Sequence, residues 1–386
     1  MTFETLQIDL TDTQKQLRDT AREFADKILI PNADRFDRLE EFPEENLAKL
    51  ADLGFMGILI PEKYGGGGHS HVTLSAALEE IHRGCASTGV TLSVHNSLLS
   101  SPMIHFGSEE QRERYFPKLA AGEWLGAYAI TEPNHGSDAA SIETSAKRDG
   151  DRYILNGTKA WITNGSYADV FIVFATQDRN AGANGISAFI VEKTFPGIRV
   201  GKKEEKLGIR ASDTVEIILE DCEVPASNLV GEEGQGFKIA MHTLDGGRVG
   251  IATQAVGIAQ AALDCAVEFA QERVQFGRPL RNSQSVQWKI ANMATEVDAA
   301  RLLTYRAAML KDQGKPHTAE ASKAKLYASE VANRCARDAI QIHGGPGVCR
   351  GTPVERIFRD AKITEIYEGT SEVQRIVISR HTLKGK

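Results

Sequence analysis

The order of segments along the chain is the feature that most limits its fold. The first third shows the periodicity of amphipathic helices. A middle block, from about Trp124 to Pro225, contains short runs rich in Val, Ile and Phe divided by Gly, Asn and Pro, and the chain becomes helical again from Gly234. Short strands of this kind are typical of a small barrel or sandwich. Because strands and helices do not alternate, the order disfavours a Rossmann fold and its nicotinamide-binding core.

We therefore predict a mainly α protein with a central β-domain. An N-terminal helical domain spans residues 1–123, the β-domain spans residues 124–233, and residues 234–386 form a C-terminal four-helix bundle. Three local signals refine this prediction. Thr11 and Gln14 have the spacing of a capping box, Pro31 ends the first helical run, and Asn156-Gly157 marks a hairpin turn between two strands.

Composition limits the possible function classes. The chain has 386 residues and a formal net charge of -7. The acidic balance argues against a nucleic-acid partner. No apolar run approaches the roughly 18 residues that a membrane span needs, and "MTFETLQIDL" shows no secretory signal, so no membrane is expected. Five scattered cysteines without Cys-x-x-Cys or His-Glu-x-x-His spacing favour buried thiols in a reducing compartment and no metal site.

Two stretches around the start of the β-domain are rich in polar and aromatic groups. "AYAITEPNHGSDAASIETSA", residues 127–146, crowds polar side chains around Pro133 and Gly136. It is either a plain polar loop or a lip that meets a ring-shaped ligand. In "KAWITNG", Trp161 and Thr163 share a strand face at period two. They either pack in the core or offer a flat heteroaromatic a stacking surface and a polar edge.

The long helix after residue 234 contains "TLDGGRVG". Gly246 and Gly247 each cost about 1 kcal/mol relative to alanine in a helix interior, which suggests the close approach of a ligand or another backbone. Asp245 and Arg248 share one helix face. They form either a surface ion pair or a fork for an extended polar ligand.

Near the C-terminus, "EIYEGTSEVQR" (residues 365–375) places Glu368 beside Tyr367 and Gly369 before a last helix. Glu368 is either a solvated loop charge or a base held for a purpose.

Together these stretches resemble the acyl-CoA dehydrogenase family. The matching segments occur in the family's order and span nearly the whole chain: "YAITEPNHGSDA", "NGTKAWITNG", "KKEEKLGIRAS", "FKIAMHTLDGGRVGIATQAVGIAQAALDCA", "ERVQFGRPL" and "RDAKITEIYEGTSEVQR". "EIHRGCASTGV", "GIAQAALDCAVEFA" and "AAMLKD" look closest to its short-chain (butyryl) branch. The resemblance implies FAD, an acyl-CoA substrate, an electron-transferring flavoprotein as acceptor and a homotetramer built as a dimer of dimers. It implies the cytoplasm in a bacterium, or the mitochondrial matrix for an already processed eukaryotic protein.

The resemblance also implies a role for Glu368. It stands where the short-chain branch keeps its catalytic base, which takes the α-proton while a hydride leaves the β-carbon for flavin N5. The Glu368 backbone N–H and a ribityl hydroxyl of FAD would hold the thioester oxygen.

The remaining site residues are carried over position by position from the family. Those implied for FAD are Tyr128, Ile130, Thr131, Ser137, Trp161, Ile162, Thr163, Arg273, Phe276, Gln284, Gln341, Gly344, Gly345, Thr370, Ser371 and Glu372, with Arg273, Gln284 and residues 341–345 acting across a subunit boundary. Those implied for the substrate are Ser137, Asp245, Arg248, Gln254, Tyr367 and Gly369.

Two positions bear on specificity. Gln254 lies six residues after Arg248 and is predicted to close the acyl cleft for chains longer than butyryl, or else to bond to a neighbouring helix. The family usually continues its paired glycines as Gly-Gly-x-Gly and an aromatic residue, but this chain reads "GGPGVCR", with Pro346 and Val348. Alternative interpretations of the whole chain are a dehydrogenase of branched short acyl-CoAs, or a flavin-binding homologue without turnover.

Overall fold

The structure is a computed structural model that describes residues 9–383. The helical nature of the first third is confirmed. Thr11 caps the first helix through the predicted box: its side chain accepts from the Gln14 amide, and the Gln14 side chain accepts from the Thr11 amide at 2.9 Å. The helices of this region are α1 (Asp12–Phe24), α2 (Ile30–Leu39), α3 (Glu44–Asp52), α4 (His71–Gly84), α5 (Ala86–Ser93), α6 (Ser101–Phe106) and α7 (Glu109–Ala120).

Pro31 does not end the first helical run, so that prediction was wrong. A π-helical turn at Ala25–Leu29 joins α1 to α2, and Pro31 lies in the first turn of α2, where its missing N–H is tolerated. The Asn32 side chain donates to the Ile28 carbonyl at 2.9 Å and supports the joint.

The strand block is confirmed as one sheet. Its strands lie in the order β6-β7-β3-β2-β4-β5-β8, and β1 pairs in parallel with β4. The strands are β1 (Gly126–Ala129), β2 (Ser145–Asp149), β3 (Arg152–Thr163), β4 (Val170–Thr176), β5 (Ile186–Glu192), β6 (Ile198–Lys203), β7 (Thr214–Pro225) and β8 (Leu229–Val230).

Asn156-Gly157 is not a hairpin turn, contrary to the sequence prediction. The two residues lie inside β3 at a β-bulge opposite β7, where the register shifts between Leu155 and Gly157. The Asn156 side chain is held by Asp221 of β7, whose amide donates to Asn156 Oδ1 at 2.8 Å. The turn between β2 and β3 falls at Gly150, which has φ 63°.

The C-terminal region is helical, as predicted. Its elements are α8 (Gly236–Glu272), a two-stranded ribbon of β9 (Val274–Gln275) and β10 (Arg278–Pro279), α9 (Gln284–Asp312), α10 (Thr318–His343), α11 (Pro353–Ile363) and α12 (Ser371–Leu383). The short helix α11 adds to the four helices expected from the sequence. The domain limits at residues 123 and 233 remain predictions.

Small side chains allow α8 and α10 to pack along each other. Fully buried alanines include Ala252 and Ala259 of α8 and Ala328 and Ala332 of α10. By length and composition alone, α8 is apolar enough to cross a membrane, but 78% of its most apolar window is buried inside the protein. It is therefore the central core helix of the C-terminal region.

Candidate active site

Glu368 lies on a tight loop between α11 and α12. Its φ is 53° and that of Gly369 is 95°, so two successive residues adopt a backbone conformation that L side chains rarely take. The loop is closed by a bond from the Ser371 amide to the Glu365 carbonyl at 2.9 Å. Lys325 Nζ and Gln374 Nε2 both donate to the Gly369 carbonyl, at 2.7 and 2.8 Å. These contacts hold a strained backbone in one shape.

One oxygen of the Glu368 carboxylate is kept out of water and has no hydrogen bond to the described residues. The residue as a whole is half-buried, but its Oε2 atom is buried and has no partner among the described residues. Burial raises the pKa of Glu368 to about 7, against the opposing charges of Lys325 and Arg248. This arrangement excludes the solvated-loop interpretation of Glu368.

The paired glycines of α8 are explained by two side chains. A Cβ added at Gly247 would lie 2.0 Å from Glu368 Oε2, and one added at Gly246 would lie 2.7 Å from Lys311 Nζ. The close approach predicted from the sequence therefore exists, but side chains make it rather than a backbone.

Asp245 and Arg248 are not a surface pair. Arg248 Nη1 donates to Asp245 Oδ1 at 2.6 Å, and the two side chains are only 8% and 15% exposed. The Thr318 hydroxyl donates to the other carboxylate oxygen, Asp245 Oδ2, at 2.5 Å. Arg248 Nε is buried and without a partner in the described part of the chain, so a donor remains free there.

Gln254 is fully buried and connects α8 to Tyr367, the residue before Glu368. Its Oε1 accepts a short hydrogen bond from the Tyr367 hydroxyl, and its Nε2 donates to the Ala86 carbonyl at 3.4 Å. Both ends of the amide are therefore engaged. The predicted bond to a neighbouring helix is present, and the role as acyl floor remains a prediction.

The polar lip after β1 is fixed by a buried ion pair. Lys159 Nζ of β3 donates to Glu132 Oε1 at 2.8 Å, and the two side chains are 0% and 4% exposed. Glu132 also accepts from the amides of Glu143 and Thr144, at 2.6 and 2.9 Å. Charges buried this deeply require partners, and here the partners attach the lip to the strand that ends in Trp161, Ile162 and Thr163.

The end of β3 presents an aromatic surface beside this lip. The Ala160 amide donates to the Thr131 carbonyl at 2.9 Å, so the two segments meet. Trp161 has φ 62° in a second β-bulge and is 59% exposed, while Ile162 beneath it is buried. Trp161 is thus not a core residue.

Three family signatures match the chain along almost its whole length. They are described as acyl-CoA dehydrogenase N-terminal, middle and C-terminal domains, and they match residues 11–123, 127–222 and 234–383. The chain belongs to the acyl-CoA dehydrogenase family.

Individual relatives agree with this assignment. The chain is 52% identical over 377 residues to the mitochondrial short-chain specific acyl-CoA dehydrogenase of Rattus norvegicus, covering 98% of this chain and 92% of that protein. Butyryl-CoA dehydrogenase from Megasphaera elsdenii superimposes with a TM-score of 0.95 at 47% identity, over 97% of this chain and 99% of the other. A chain in the structure "Electron transferring flavoprotein of Acidaminococcus fermentans: Towards a mechanism of flavin-based electron bifurcation" gives a TM-score of 0.97 at 49% identity, over 98% and 100%.

Acyl-CoA dehydrogenases are FAD-dependent oxidoreductases. Residues at the end of β3 and at the start of α12 fit such a group. Trp161 offers an exposed ring face for a flat heteroaromatic. Ser371 begins α12, and its hydroxyl is buried without a hydrogen-bond partner among residues 9–383. A free hydroxyl at a helix N-terminus suits a phosphate oxygen.

Tyr128 of β1 lies close enough to Glu368 to feel its charge. Its ring is buried, and this burial raises the pKa of Tyr128 well above its usual value. The negative charge of Glu368 adds a smaller effect in the same direction. Its hydroxyl has no hydrogen-bond partner within the described residues. The structure thus brings Tyr128 and Glu368 close enough to interact electrostatically, although they lie in distant segments of the sequence.

A second group of predicted FAD residues lies apart, on the exposed surface of the C-terminal region. Phe276 is 100% exposed on the β9–β10 ribbon. Phe269 stacks on His343 with ring centroids 4.2 Å apart, so the ends of α8 and α10 meet here. The other exposed members are Arg273, Gln284, Gln341, Gly344 and Gly345.

The paired glycines at the end of α10 are Gly344 and Gly345. Gly344 caps the helix with a positive φ of 63°, and its ψ of -135° is outside the left-handed helical region. A Cβ at Gly345 would meet no atom of residues 9–383 within 4 Å, so packing within the described part of the chain does not require this glycine. Pro346 and Val348 are both exposed.

Sequence reasoning missed two buried lysines, Lys159 and Lys325. Each is fully buried, and burial lowers the pKa of each to about 8. A lysine within an apolar periodic run is the signal that could have found Lys325, which lies between Ala324 and Ala328 on α10.

Proposed function

We propose that this acyl-CoA dehydrogenase oxidises short-chain acyl-CoA thioesters to trans-2-enoyl-CoA, with Glu368 as the base. One observation carries the proposal: the buried Glu368 Oε2 has no hydrogen-bond partner in the described chain, and the pKa of Glu368 is raised to about 7. An unpaired buried carboxylate is costly, and such groups cluster at functional sites. The similarity to the rat short-chain enzyme and to butyryl-CoA dehydrogenase supports the substrate class.

Glu368 would remove the proton from the carbon α to the thioester carbonyl. A pKa near 7 leaves much of the group ionised at neutral pH and makes it a stronger base than an ordinary carboxylate. The α C–H bond breaks with its proton passing to Glu368 Oε2, the β C–H bond breaks with its hydride leaving, and a Cα=Cβ double bond forms. FAD, when bound, supplies the two-electron acceptor for that hydride at N5.

The loop that carries the base would also stabilise the developing charge. Tyr367 and Ser371 donate their amides to the carbonyls of Ile363 and Glu365, whereas no described residue accepts from the Glu368 amide. A free N–H next to the base can donate to the thioester oxygen as it becomes enolate-like. The strained φ of Glu368 would serve to aim this donor.

The acyl end of the cleft would be limited by Gln254. This residue is fully buried and bonded to Tyr367, the neighbour of the base. A longer alkyl tail would have to displace an amide whose lost hydrogen bonds cost about 1–3 kcal/mol. Each extra buried methylene returns only about 0.8 kcal/mol. We therefore propose a preference for butyryl-CoA over hexanoyl-CoA, with octanoyl-CoA poor.

The proposed electron acceptor is an electron-transferring flavoprotein. The close similarity to a chain in the Acidaminococcus fermentans structure supports this partner. The proposed assembly is a homotetramer in which Arg273, Phe276, Gln284 and Gln341 reach the FAD of a neighbouring subunit, and the exposure of all four in one chain supports it. We propose the bacterial cytoplasm or the mitochondrial matrix as the compartment, since relatives of both origins occur.

Anaerobic titration of the purified yellow protein with butyryl-, hexanoyl-, octanoyl- and isobutyryl-CoA tests the proposal. Butyryl-CoA is expected to bleach the flavin absorbance most completely and at the lowest concentration. Bleaching by isobutyryl-CoA alone would assign a branched substrate, and no bleaching by any of the four would overturn the proposed reaction.

A further inference from the structure

We propose that Lys325 is a positioning residue for the base: its ammonium group anchors the Glu368 loop and holds the nearby carboxylate ionised and in place. This inference rests on the proposed role of Glu368.

Lys325 is in direct contact with the loop that carries Glu368. Lys325 projects from α10, is fully buried, and donates from Nζ to the Gly369 carbonyl at 2.7 Å. Gln374 of α12 donates to the same carbonyl at 2.8 Å. Two donors from two helices thus converge on the residue after the base, where φ is 95°. Fully buried lysines are rare unless they are paired with another group. A neutral amide donor such as Gln374 is enough to satisfy a carbonyl, so the hydrogen bond alone does not explain why a charged residue stands here.

The two positive groups that act on Glu368 differ in whether a carboxylate is bonded to them. The charged groups that act on Glu368 are Lys325 of α10 and Arg248 of α8. Arg248 donates to the Asp245 carboxylate at 2.6 Å, so its charge is largely matched. Lys325 donates to a neutral carbonyl instead. The phenols of Tyr128 and Tyr367 also face the base, and both stay neutral because burial raises the pKa of each.

The pKa of Lys325 also depends on burial and on the charges around it. Burial lowers this pKa to about 8, and the negative charge of Glu368 is the largest effect that opposes the shift. Glu365 and Glu372 also raise the pKa of Lys325, whereas Arg248 lowers it. Lys325 is therefore still mostly charged at pH 7. Its positive charge lowers the pKa of Glu368 against the effect of burial, so loss of the charge leaves less carboxylate at neutral pH.

The test measures the ionisation of Glu368 directly. Infrared spectra of the FAD-loaded protein are recorded against pH, and the band of the protonated Glu368 carboxyl is identified by its loss in Glu368→Gln. Lys325→Met removes the charge and the hydrogen bond at similar length, and Lys325→Gln removes the charge while keeping a donor. Gln374→Ala is the matched control, because it removes the other donor to the Gly369 carbonyl and no charge.

Both neutral variants of Lys325 are expected to raise the pKa of Glu368 by about one unit or more. Lys325→Arg and Gln374→Ala are expected to leave it close to the wild-type value. The pH profile of flavin reduction by butyryl-CoA should shift with the carboxyl band in the neutral variants. A wild-type carboxyl pKa in either neutral variant, or an equal shift in Gln374→Ala, would overturn the inference. A Glu368→Gln protein that turns over normally would instead overturn the base assignment, since the infrared result does not depend on turnover.

Discussion

Gly247 lies directly against the carboxylate of Glu368. A Cβ at this glycine would come within 2.0 Å of Glu368 Oε2 and within 2.9 Å of Leu98 Cδ2. A residue inside the core helix α8 therefore sets the space that the Glu368 carboxylate occupies, although 121 positions separate the two in the chain, as counted from their numbers. The helix gives up part of its intrinsic stability at this point to admit the carboxylate.

Gly247→Ala is expected to displace the base and slow flavin reduction by about a hundredfold, because misplaced catalytic groups lose much of their advantage. FAD content and thermal stability should change little, since alanine favours the helix by up to about 1 kcal/mol. Stopped-flow reduction by butyryl-CoA measures the effect. Gly250→Ala is the matched control one turn away, where the added Cβ would meet Ser93 Oγ at 2.9 Å rather than the base. Equal rates in the two variants would contradict the assignment.

Glu368→Gln is expected to stabilise the protein above pH 7. The folded-state pKa of about 7 exceeds the reference value of 4.5, so the folded protein binds more protons between these values and the free energy of unfolding falls as pH rises through them. Glutamine has no charge to desolvate, so the free energy of unfolding of the variant should exceed that of wild type by on the order of 2 kcal/mol above pH 7. Denaturant unfolding at pH 5 and pH 8 compares the two proteins. A stability difference that is the same at both pH values would count against the buried-carboxylate account.

Arg273→Ala is expected to weaken both FAD retention and the thermal stability of the oligomer. If Arg273 binds the FAD of a neighbouring subunit, cofactor binding and assembly are linked by mass action. Flavin content after gel filtration and light scattering measure the two effects. Arg278→Ala is the control, because Arg278 is an exposed arginine on the ribbon that directly follows Arg273. A wild-type monomer that holds FAD tightly would refute the link.

Gln254→Gly is expected to shift the preference towards longer acyl chains, because it removes the buried amide from the end of the cleft. The measurement is kcat/KM for four-, six- and eight-carbon thioesters. Tyr367→Phe separates space from hydrogen bonding, since it removes the bond to Gln254 without opening room. It should keep the wild-type length profile. An unchanged profile in Gln254→Gly, or a wild-type preference for octanoyl-CoA, would exclude Gln254 as the floor.

Periodicity and composition predicted the helix, strand and helix order because each long segment carries its own amphipathic or β-rich pattern. Local turn signals were less reliable. Asn156-Gly157 has the residues of a hairpin turn, but pairing of β3 with β7 along its length turns them into a bulge. Pro31 was expected to stop a helix that instead widens into a π-helical turn. Tertiary pairing overrides the local preference at Asn156-Gly157, whereas at Pro31 the first turn of α2 tolerates the missing N–H.

The residues that the sequence singled out remain predictions as a site, and the contacts that the structure shows for them could not be predicted. The cost of Gly246 and Gly247 indicated a close neighbour, but a helical pattern cannot show which distant segment approaches, and the neighbours are Lys311 and Glu368. Lys325 carries no motif, and its importance appears only when α10 places it against the Gly369 carbonyl. Phe276 and Gln341 are both exposed, and the structure shows no contact among the described residues that would explain them.

The single-turnover rate of flavin reduction by butyryl-CoA, compared between wild type and Glu368→Gln, tests the assignment of Glu368 as the base most directly. The wild-type reduction rate should rise with pH through about 7, because only the carboxylate form of Glu368 accepts the α-proton. Glu368→Gln should keep its FAD and its fold, should be reduced more slowly by a factor on the order of 10³ above pH 7, and should show no rise through pH 7. A Glu368→Gln rate within about tenfold of wild type would contradict the assignment of Glu368 as the base.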